Sequence, residues 1–399
     1  MINLTYQYKL KLNKQQENEI DQILDVCKSV YNYALRERKD WYASRKSPIN
    51  CCSIIKEYII PADLPYPDYN NQSAKLTEAK KTNPRLKSVH SQVLQQTLKT
   101  LDKAIADMKA RGFGFPRFKK KVRSFVFPAM LKNSLGTNKI KLPSLGWLKI
   151  RQSRPYPVGF EAKLARIIKK ATGYFVSITF QSLEKCPEAT VGKTFLGIDA
   201  GIESFVAHSQ GELIKAPKFL LEVQRQLKLL QRRLKNKKKG SNNWLKLQKK
   251  IARLHERVAN TRKDWHFKLA NNLCELADNI FVEDINFVSW SRGIVRKQSL
   301  DSGIGQFINE ILPYICWKRD KYYGKVDKNY TSQECPKCDA STGKKTLKER
   351  EHNCQYCGYQ EHRDIASAKV IENRGKIAVG HTVFAKRALT RTKPLVETF

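Results

Sequence analysis

Acidic side chains are scarce in this chain. Its 399 residues include 37 Asp and Glu against 75 Lys and Arg, which gives a formal net charge of +38 at pH 7. Folding alone does not account for so much charge of one sign, because it repels itself and weakens the compact state. A polyanionic partner removes the repulsion, and nucleic acid is the usual one. Ribosomal and histone-like proteins are equally basic but usually shorter, and this chain is long enough for two or three domains.

Long apolar runs are also missing. No stretch of about 18 apolar residues is present to span a membrane, and the chain lacks the charged-then-apolar start of a signal peptide. We therefore expect a soluble, intracellular protein with no membrane partner.

The cysteines do not indicate a disulfide framework. Six of the ten are scattered, as expected for ordinary thiols of an intracellular protein: Cys27, Cys51, Cys52, Cys186, Cys274 and Cys316. The other four form two C-x₂-C pairs with 15 residues between them, Cys335 with Cys338 and Cys354 with Cys357. This spacing predicts a ribbon over 330–360 with one structural zinc ion held by four thiolates, leaving no open position for catalysis. A redox-active dithiol pair is the alternative.

Periodicity predicts an α+β protein of several domains. Residues 1–12 alternate apolar and polar side chains, as a half-buried strand does. Residues 13–115 show helical spacing and predict a helical domain. Residues 116–190 contain short strands and turns, and predict a small β-barrel or sandwich that the strand at 1–12 joins, since an isolated strand is not stable. Residues 191–399 form the last domain.

Aromatic and basic side chains interleave after the helical region, in the stretch GFGFPRFKKKVRSFVFP. Gly112 and Gly114 break the preceding helix. Cations among aromatic rings suit contact with phosphates and stacking on bases, whereas a plain hairpin edge would turn its aromatics inward and its lysines outward. We favour contact with nucleic acid, through Phe115, Arg117, Phe118, Lys119 and Lys120.

A second basic stretch spans residues 218–263 and contains 16 Lys and Arg but only two acidic residues. Its apolar positions step by three and four on either side of Gly240, which predicts a helical hairpin with a basic outer face. Its candidate nucleic-acid contacts are Arg232, Arg233, Lys237, Lys238 and Lys239.

Three acidic positions lie at the ends of predicted strands or at the start of a helix. Asp199 ends an apolar strand, where a carboxylate is costly unless it is paired or holds a metal. Glu283 and Asp284 end another strand, and only one of them can share a site with Asp199 because strand side chains alternate. Asp364 begins the last helix. This order of elements is that of an RNase H-like domain, whose three carboxylates hold two Mg²⁺ ions for phosphodiester hydrolysis. For Asp199 alone, a paired structural acid is the plainer alternative.

Five segments together resemble the TnpB (transposon-encoded OrfB) family, relatives of type V CRISPR nucleases: GFGFPRFKKK, GIDAGIESFVAHSQGE, FVEDINF, VDKNYTSQECPKC and CQYCGYQEHRDIASAKVI. The resemblance covers nearly the whole chain. It implies Mg²⁺-dependent cleavage of double-stranded DNA at a target chosen by a guide RNA and a short flanking DNA motif. By the same resemblance, the catalytic acids fall on Asp199, Glu283 and Asp364, and the zinc ligands on the four paired cysteines.

The resemblance also implies an architecture: a helical recognition domain, a wedge barrel that includes the first strand, and a RuvC domain with an inserted zinc ribbon. We expect a monomer that works in the prokaryotic cytoplasm and is associated with the nucleoid when bound.

One motif departs from the family pattern. The family usually reads D-R-D-x-N-A-A around the last acid, whereas this chain reads HRDIASA, with His362, Ala366 and Ser367 at the changed positions. Loss of outer partners of a metal ligand typically costs about ten- to a hundredfold in affinity or rate. Two other functions stay open: a nuclease-impaired, RNA-guided repressor that binds DNA, and a DNA transposase with an RNase H-like fold. Loss of an acid would favour the first, and the order Asp, Asp, Glu the second.

Overall fold

The computed structural model describes residues 2–46, 60–61, 63–130, 133–182, 190–290, 292–293, 295–346 and 349–391. It divides the chain into two compact units, residues 1–186 and 187–399. Of the scattered cysteines, Cys27, Cys274 and Cys316 are free and buried, as expected of ordinary thiols. The remaining three, Cys51, Cys52 and Cys186, lie outside the described residues.

The helices of the first unit form where the sequence shows helical spacing. They are α1 (Lys14–Lys46), α2 (Tyr69–Thr82), α3 (Pro84–Lys87) and α4 (Ser91–Arg111). Asn13 and Gln16 begin α1 as a reciprocal capping pair, because each side-chain oxygen accepts the other residue's backbone N–H. Helix α4 ends at Gly112, whose φ of 64° suits a residue without a Cβ.

The strands of the first unit form one antiparallel sheet. They are β1 (Ile2–Lys11), β2 (Ser124–Phe127), β3 (Leu135–Gly136), β4 (Lys139–Leu142), β5 (Gly146–Arg151), β6 (Glu161–Lys170) and β7 (Gly173–Ser182). Their order is β2-β6-β7-β1-β5-β4-β3. The first strand lies in the middle of the sheet, paired with β7 and β5, so it joins strands that come much later in the chain. Sheet and helices share one hydrophobic core.

The predicted closed barrel is not seen. Within the described residues the end strands β2 and β3 do not pair, so the sheet is open. The end strand β3 explains this, because its two residues offer too short an edge to close the sheet. Strand β2 packs instead against α4.

The second unit is built on a mixed sheet of β8 (Phe195–Asp199), β9 (Val206–His208), β10 (Glu212–Ile214), β11 (Asn279–Glu283) and β12 (Tyr322–Val326), in the order β10-β9-β8-β11-β12. Strands β8, β11 and β12 are parallel, and β9 and β10 run against them. Between β10 and β11 lies the expected helical hairpin, α5 (Phe219–Lys235) and α6 (Asn242–Leu276), with Gly240 in its turn at a φ of 87°.

The rest of the second unit connects these strands and ends in a long helix. After β11 come α7 (Phe287–Trp290), α8 (Arg296–Ser302), α9 (Ile304–Gln306), a π-helical turn (Phe307–Ile311) and α10 (Leu312–Lys318). After β12 come the two-stranded ribbon of β13 (Glu351–Asn353) and β14 (Gln360–His362), and then α11 (Arg363–Arg391). No described helix combines the length and apolar composition needed to cross a bilayer.

Helix α11 packs directly on β8 because Gly197 has no side chain. A Cβ on Gly197 would lie 1.9 Å from the carbonyl oxygen of Ala368 and 2.5 Å from the amide nitrogen of Glu372. Both atoms belong to backbone that a rotamer change cannot move. The missing side chain therefore sets the distance between α11 and the strand that ends in Asp199.

We expect Gly197→Ala to destabilise the second unit by about 3 kcal/mol or more, since overpacking here meets backbone. For a unit of this size the loss corresponds to roughly 10 °C in melting temperature, measurable by calorimetry. Gly380→Ala is the matched control on α11, where a Cβ meets nothing within 4 Å and improved helix propensity should stabilise slightly. Equal melting temperatures for Gly197→Ala and the unmodified protein would contradict the close approach.

Candidate active site and zinc centre

The carboxyl ends of two parallel strands bring the first two acids together. Ile198 on β8 is in register with Val282 on β11, so the next residues, Asp199 and Glu283, are neighbours on the same face. Asp364 is the second residue of α11, the helix that packs on β8. All three side chains are half-buried, so the cluster remains open to solvent.

Electrostatics shows that the three acids interact. Burial, followed by the negative charges of Glu283 and Asp364, raises the pKa of Asp199 well above its ordinary value. Burial also raises the pKa of Glu283, against the opposing effects of Thr331 and the cation of Arg374. A bound cation would offset the repulsion between these carboxylates and favour their ionised forms.

Strand alternation separates Glu283 from its neighbour, as the sequence requires. Asp284 is exposed and forms an ion pair with Lys325 at 2.9 Å, which lowers the pKa of Asp284. Glu283 lies beside Asp199, and its Oε1 accepts a hydrogen bond from the hydroxyl of Thr331.

The altered motif before Asp364 retains a hydrogen-bond acceptor. His362 precedes the first residue of α11, and its Nδ1 accepts the backbone N–H of Asp364 at 3.2 Å. A carboxylate at this position fills the same capping role at a helix N-terminus. Ala366 and Ser367 are buried in the helix interface, where the small side chains fit the close packing on β8.

The four paired cysteines converge into one cluster. Their sulfur atoms all lie within 4.8 Å of one another, with Sγ–Sγ distances of 3.6 Å for Cys335–Cys357 and for Cys338–Cys354. Tetrahedral zinc with Zn–S bonds of about 2.3 Å separates its sulfurs by roughly 3.8 Å, so the residues fit the ion. Among the described residues, no other group of three or more His, Cys, Asp or Glu side chains lies this close together. The carboxylates of Asp199, Glu283 and Asp364 do not meet this distance either.

Matching backbone turns build the two halves of the cysteine cluster. After Cys335, the N–H of Asp339 bonds the carbonyl of Cys335, and after Cys354 the N–H of Gly358 bonds that of Cys354. Both turn residues have a left-handed φ, 55° and 69°. Although burial raises the pKa of Cys354, backbone N–H groups hold it at about 6, below its ordinary value, which favours the thiolate that zinc needs.

The cysteine ribbon is bonded to the helix that carries Asp364. The side-chain amide of Asn373 donates to the carbonyl of Pro336 at 2.9 Å, and Arg374 pairs with Glu334 at 2.7 Å. Together with the bond from Thr331 to Glu283, these contacts connect the ribbon to two of the three acids. Sequence reasoning missed Thr331 and Arg374; Thr331 lies inside the motif YTSQECPKC, which was the available signal.

Replacing Thr331 by valine removes the hydroxyl but keeps the shape of the side chain. We expect the calorimetric affinity of the protein for Mn²⁺ to weaken about tenfold, since Glu283 loses the partner that orients it. Thr331→Ser keeps the hydroxyl and is expected to stay within about threefold of the unmodified protein. If the Val and Ser variants behave alike, Thr331 does not orient Glu283.

Of the five residues predicted to contact nucleic acid after Gly112, two pack against aromatic rings of the first unit and three are exposed. Phe115 packs edge-on against Tyr42 with ring centroids 5.7 Å apart, and Lys119 lies with its Nζ 3.7 Å from the centroid of the Tyr31 ring. Burial lowers the pKa of Lys119. Arg117, Phe118 and Lys120 are exposed.

The predicted contacts on the helical hairpin are all exposed. Arg232 and Arg233 lie in the last turn of α5, and Lys237, Lys238 and Lys239 follow in the turn before α6. None of these five takes part in an ion pair within the described residues. Their role in binding stays a prediction.

Fold and site define a class: a mixed α+β protein with three interacting carboxylates at the carboxyl ends of two inner strands and the start of a helix, and with a four-cysteine centre that is hydrogen-bonded to that helix. Three family models match the chain, one described as a probable transposase (OrfB of IS605) at residues 177–291, one as a Cas12f1-like TNB domain at 306–371, and one as a helix-turn-helix domain at 1–47. The last range contains β1 and α1 in the structure. By these matches the chain resembles the TnpB, or OrfB, family.

Two relatives match along nearly their whole length. A putative RNA-guided DNA endonuclease, InsQ, of Escherichia coli (strain K12) is 28% identical over 401 residues, covering 95% of this chain and 93% of the relative. A putative RNA-guided DNA endonuclease of Streptomyces pristinaespiralis is 28% identical over 406 residues, covering 98% and 94%.

Solved structures give a weaker likeness. A Cas12f1–sgRNA–target DNA complex matches with a TM-score of 0.35 and 15% identity, covering 94% of this chain and 99% of that one. A CRISPR–Cas12f ternary complex matches with a TM-score of 0.35 and 14% identity, covering 90% and 82%.

Proposed function

We propose that this protein is an RNA-guided DNA endonuclease that hydrolyses phosphodiester bonds at the site of Asp199, Glu283 and Asp364. The convergence of these three acids from two strands and a helix is the observation that carries the proposal. The relatives named as RNA-guided DNA endonucleases support it. The target would be chosen by pairing with the RNA and by a short flanking DNA motif, since the protein itself needs to read little sequence.

The donor set suits magnesium. Three half-buried carboxylates supply oxygen ligands, which Mg²⁺ prefers. Burial, and after it the negative charges of Glu283 and Asp364, raises the pKa of Asp199. Two such ions would supply an activated water and charge stabilisation for the leaving oxygen. Asp199, Glu283 and Asp364 would hold them, while the zinc of the four cysteines would be structural.

Other residues of the chain fix the three acids. The hydroxyl of Thr331 restrains the Glu283 carboxylate, and Nδ1 of His362 holds the first turn of α11 at Asp364. Gly197 lets α11 pack closely on β8, the strand that ends in Asp199. Such restraint matters because a displacement of about 1 Å at a catalytic group costs on the order of a hundredfold in rate.

The partners of this activity are a guide RNA and double-stranded DNA, consistent with the net charge of +38. The exposed cations of the α5–α6 hairpin and of the stretch around Arg117 would contact their backbones. The protein would act as a monomer, on DNA of the prokaryotic cytoplasm and nucleoid.

Two other functions have particular support. The family model over residues 177–291 is described as a probable transposase. The changed positions His362, Ala366 and Ser367 favour a nuclease-impaired repressor. The acids, however, follow in the order Asp, Glu, Asp, and none is missing.

The test is whether an RNA directs the cut. We expect the purified protein to carry a discrete RNA, and exchange of about 20 nucleotides at one end of it to redirect cleavage to the complementary DNA in Mg²⁺. Guided binding without cleavage would identify the repressor. Cleavage or strand transfer at a fixed duplex sequence by RNA-free protein would identify the transposase.

A further inference from the structure

A basic cleft in the first unit lies between α4 and the strand pair β2–β6. It has a volume of about 360 Å³ and an apolar floor that includes the buried side chains of Val93 and Phe125. Its rim carries four cations and no acid: Lys119, Lys121, Arg123 and Arg166. Charge of one sign over a low-dielectric floor concentrates the electrostatic field in the cleft and attracts anions.

Three of these cations have no partner among the described residues. Lys121, Arg123 and Arg166 are exposed, and no described residue forms an ion pair or hydrogen bond with their side chains. Elsewhere in the same unit many cations are paired, as Lys169 is with Asp21 at 2.6 Å. Lys119 differs from the other three because it already lies over the Tyr31 ring.

The wall formed by α4 adds little hydrogen bonding. The hydroxyls of Thr97 and Thr100 donate to the carbonyls of Val93 and Gln96 in their own helix, at 3.0 and 2.8 Å. Besides the side chains of Gln96 and Ser124, the polar groups that remain in the cleft are its cations, and positive charge suits a backbone better than the edges of bases.

We propose that this cleft binds the phosphodiester backbone of a nucleic acid through Lys121, Arg123 and Arg166. The site rests on the nucleic-acid partners of the proposed function. It replaces the predicted contacts Phe115 and Lys119 by Lys121 and Arg123, whose side chains form no ion pair or hydrogen bond with a described residue. Arg166 lies over 40 residues away in sequence and joins the others because β6 pairs with β2, where Arg166 is opposite Val126.

The experiment compares two triple variants of equal charge. Lys121→Gln/Arg123→Gln/Arg166→Gln removes the free cations of the cleft. The control, Lys141→Gln/Lys149→Gln/Arg151→Gln, removes three exposed and unpaired cations from β4 and β5 of the same sheet, outside the cleft. Thermal melting verifies that both variants fold.

Binding is measured over a salt series in two arms, protein with labelled single-stranded RNA and protein–RNA complex with labelled duplex DNA. Three lost phosphate contacts should reduce the slope of log K against log[salt] by about 2 on a single strand, and raise Kd about a hundredfold at 0.1 M salt. The control should change far less. Loss in the RNA arm identifies the guide backbone as the occupant, and loss in the DNA arm alone identifies the target.

Equal changes in the cleft and control variants, or no change in either, would overturn the cleft as a binding site. Because binding is measured without cleavage, the result is independent of the nuclease proposal. If the unmodified protein binds nucleic acid but never cuts DNA, the proposed function is wrong and the cleft proposal is unaffected. If the protein cuts DNA under RNA guidance but the cleft variant binds as tightly as the control variant, the cleft proposal is wrong and the proposed function is unaffected.

Discussion

Replacing Asp199 by asparagine should reduce guided DNA cleavage at least about a thousandfold while leaving RNA binding within about twofold of the unmodified protein. Asn keeps the size of the side chain but removes the charge at the centre of the three-acid cluster. In the proposed function the metal ions held there would serve the chemistry rather than the binding of nucleic acid. Single-turnover cleavage in Mg²⁺ and RNA-binding titrations measure the two effects separately.

Asp284→Asn is the matched control, since Asp284 directly follows Glu283 in the chain but is exposed and forms an ion pair with Lys325. Its cleavage should remain near that of the unmodified protein. Strong cleavage by Asp199→Asn, or equal losses in both variants, would contradict the assignment of the site.

The same variant should stabilise the protein when divalent ions are absent. The pKa of Asp199 is raised above its ordinary value of 3.8, so the folded protein keeps this proton to a higher pH than the unfolded chain. The metal-free protein therefore loses stability as pH rises from 3.8 through the raised pKa, and Asn abolishes that loss.

At pH 7 without divalent ions, Asp199→Asn should melt above the unmodified protein, by about 2–4 °C for each kcal/mol gained. Added Mg²⁺ should raise the melting temperature of the unmodified protein and have little effect on the variant. A variant that melts lower in metal-free buffer would show that Asp199 has a stabilising partner instead.

The second large effect is expected from Cys335→Ser. Zinc content, measured by elemental analysis, should fall from one ion per chain to none, because the cluster keeps three thiolates and loses tetrahedral closure. Cleavage should fall by about a hundredfold or more although the zinc takes no part in it. The ribbon supplies the bond from Thr331 to Glu283 and contacts α11 through Asn373 and Arg374.

Cys27→Ala is the control, because Cys27 is a buried free thiol of the first unit and should leave the zinc content at one. Limited proteolysis should cut the Cys335→Ser protein within 330–360. Retained zinc in Cys335→Ser would rule out the four-cysteine centre. Lost zinc with unchanged cleavage would show that the ribbon does not position the acids.

The sequence by itself determined the features that local spacing encodes. Alternation over 1–12 predicts β1, the C-x₂-C pairs predict one cluster of four thiols, and Gly240 marks the turn of the basic hairpin. The three acids are recognisable because each ends a strand or begins a helix, and those positions follow from periodicity along the chain.

Only the tertiary structure decided which distant side chains meet. The open sheet in place of a barrel follows from the two-residue end strand β3, and the position of Arg166 opposite Val126 on β2 follows from the register of β6. The contacts of Thr331 with Glu283 and of Lys119 with Tyr31 likewise join residues that no local pattern connects. The physical reason is that periodicity fixes which face of an element is apolar, whereas packing between elements fixes what that face, and the charges beside it, will contact.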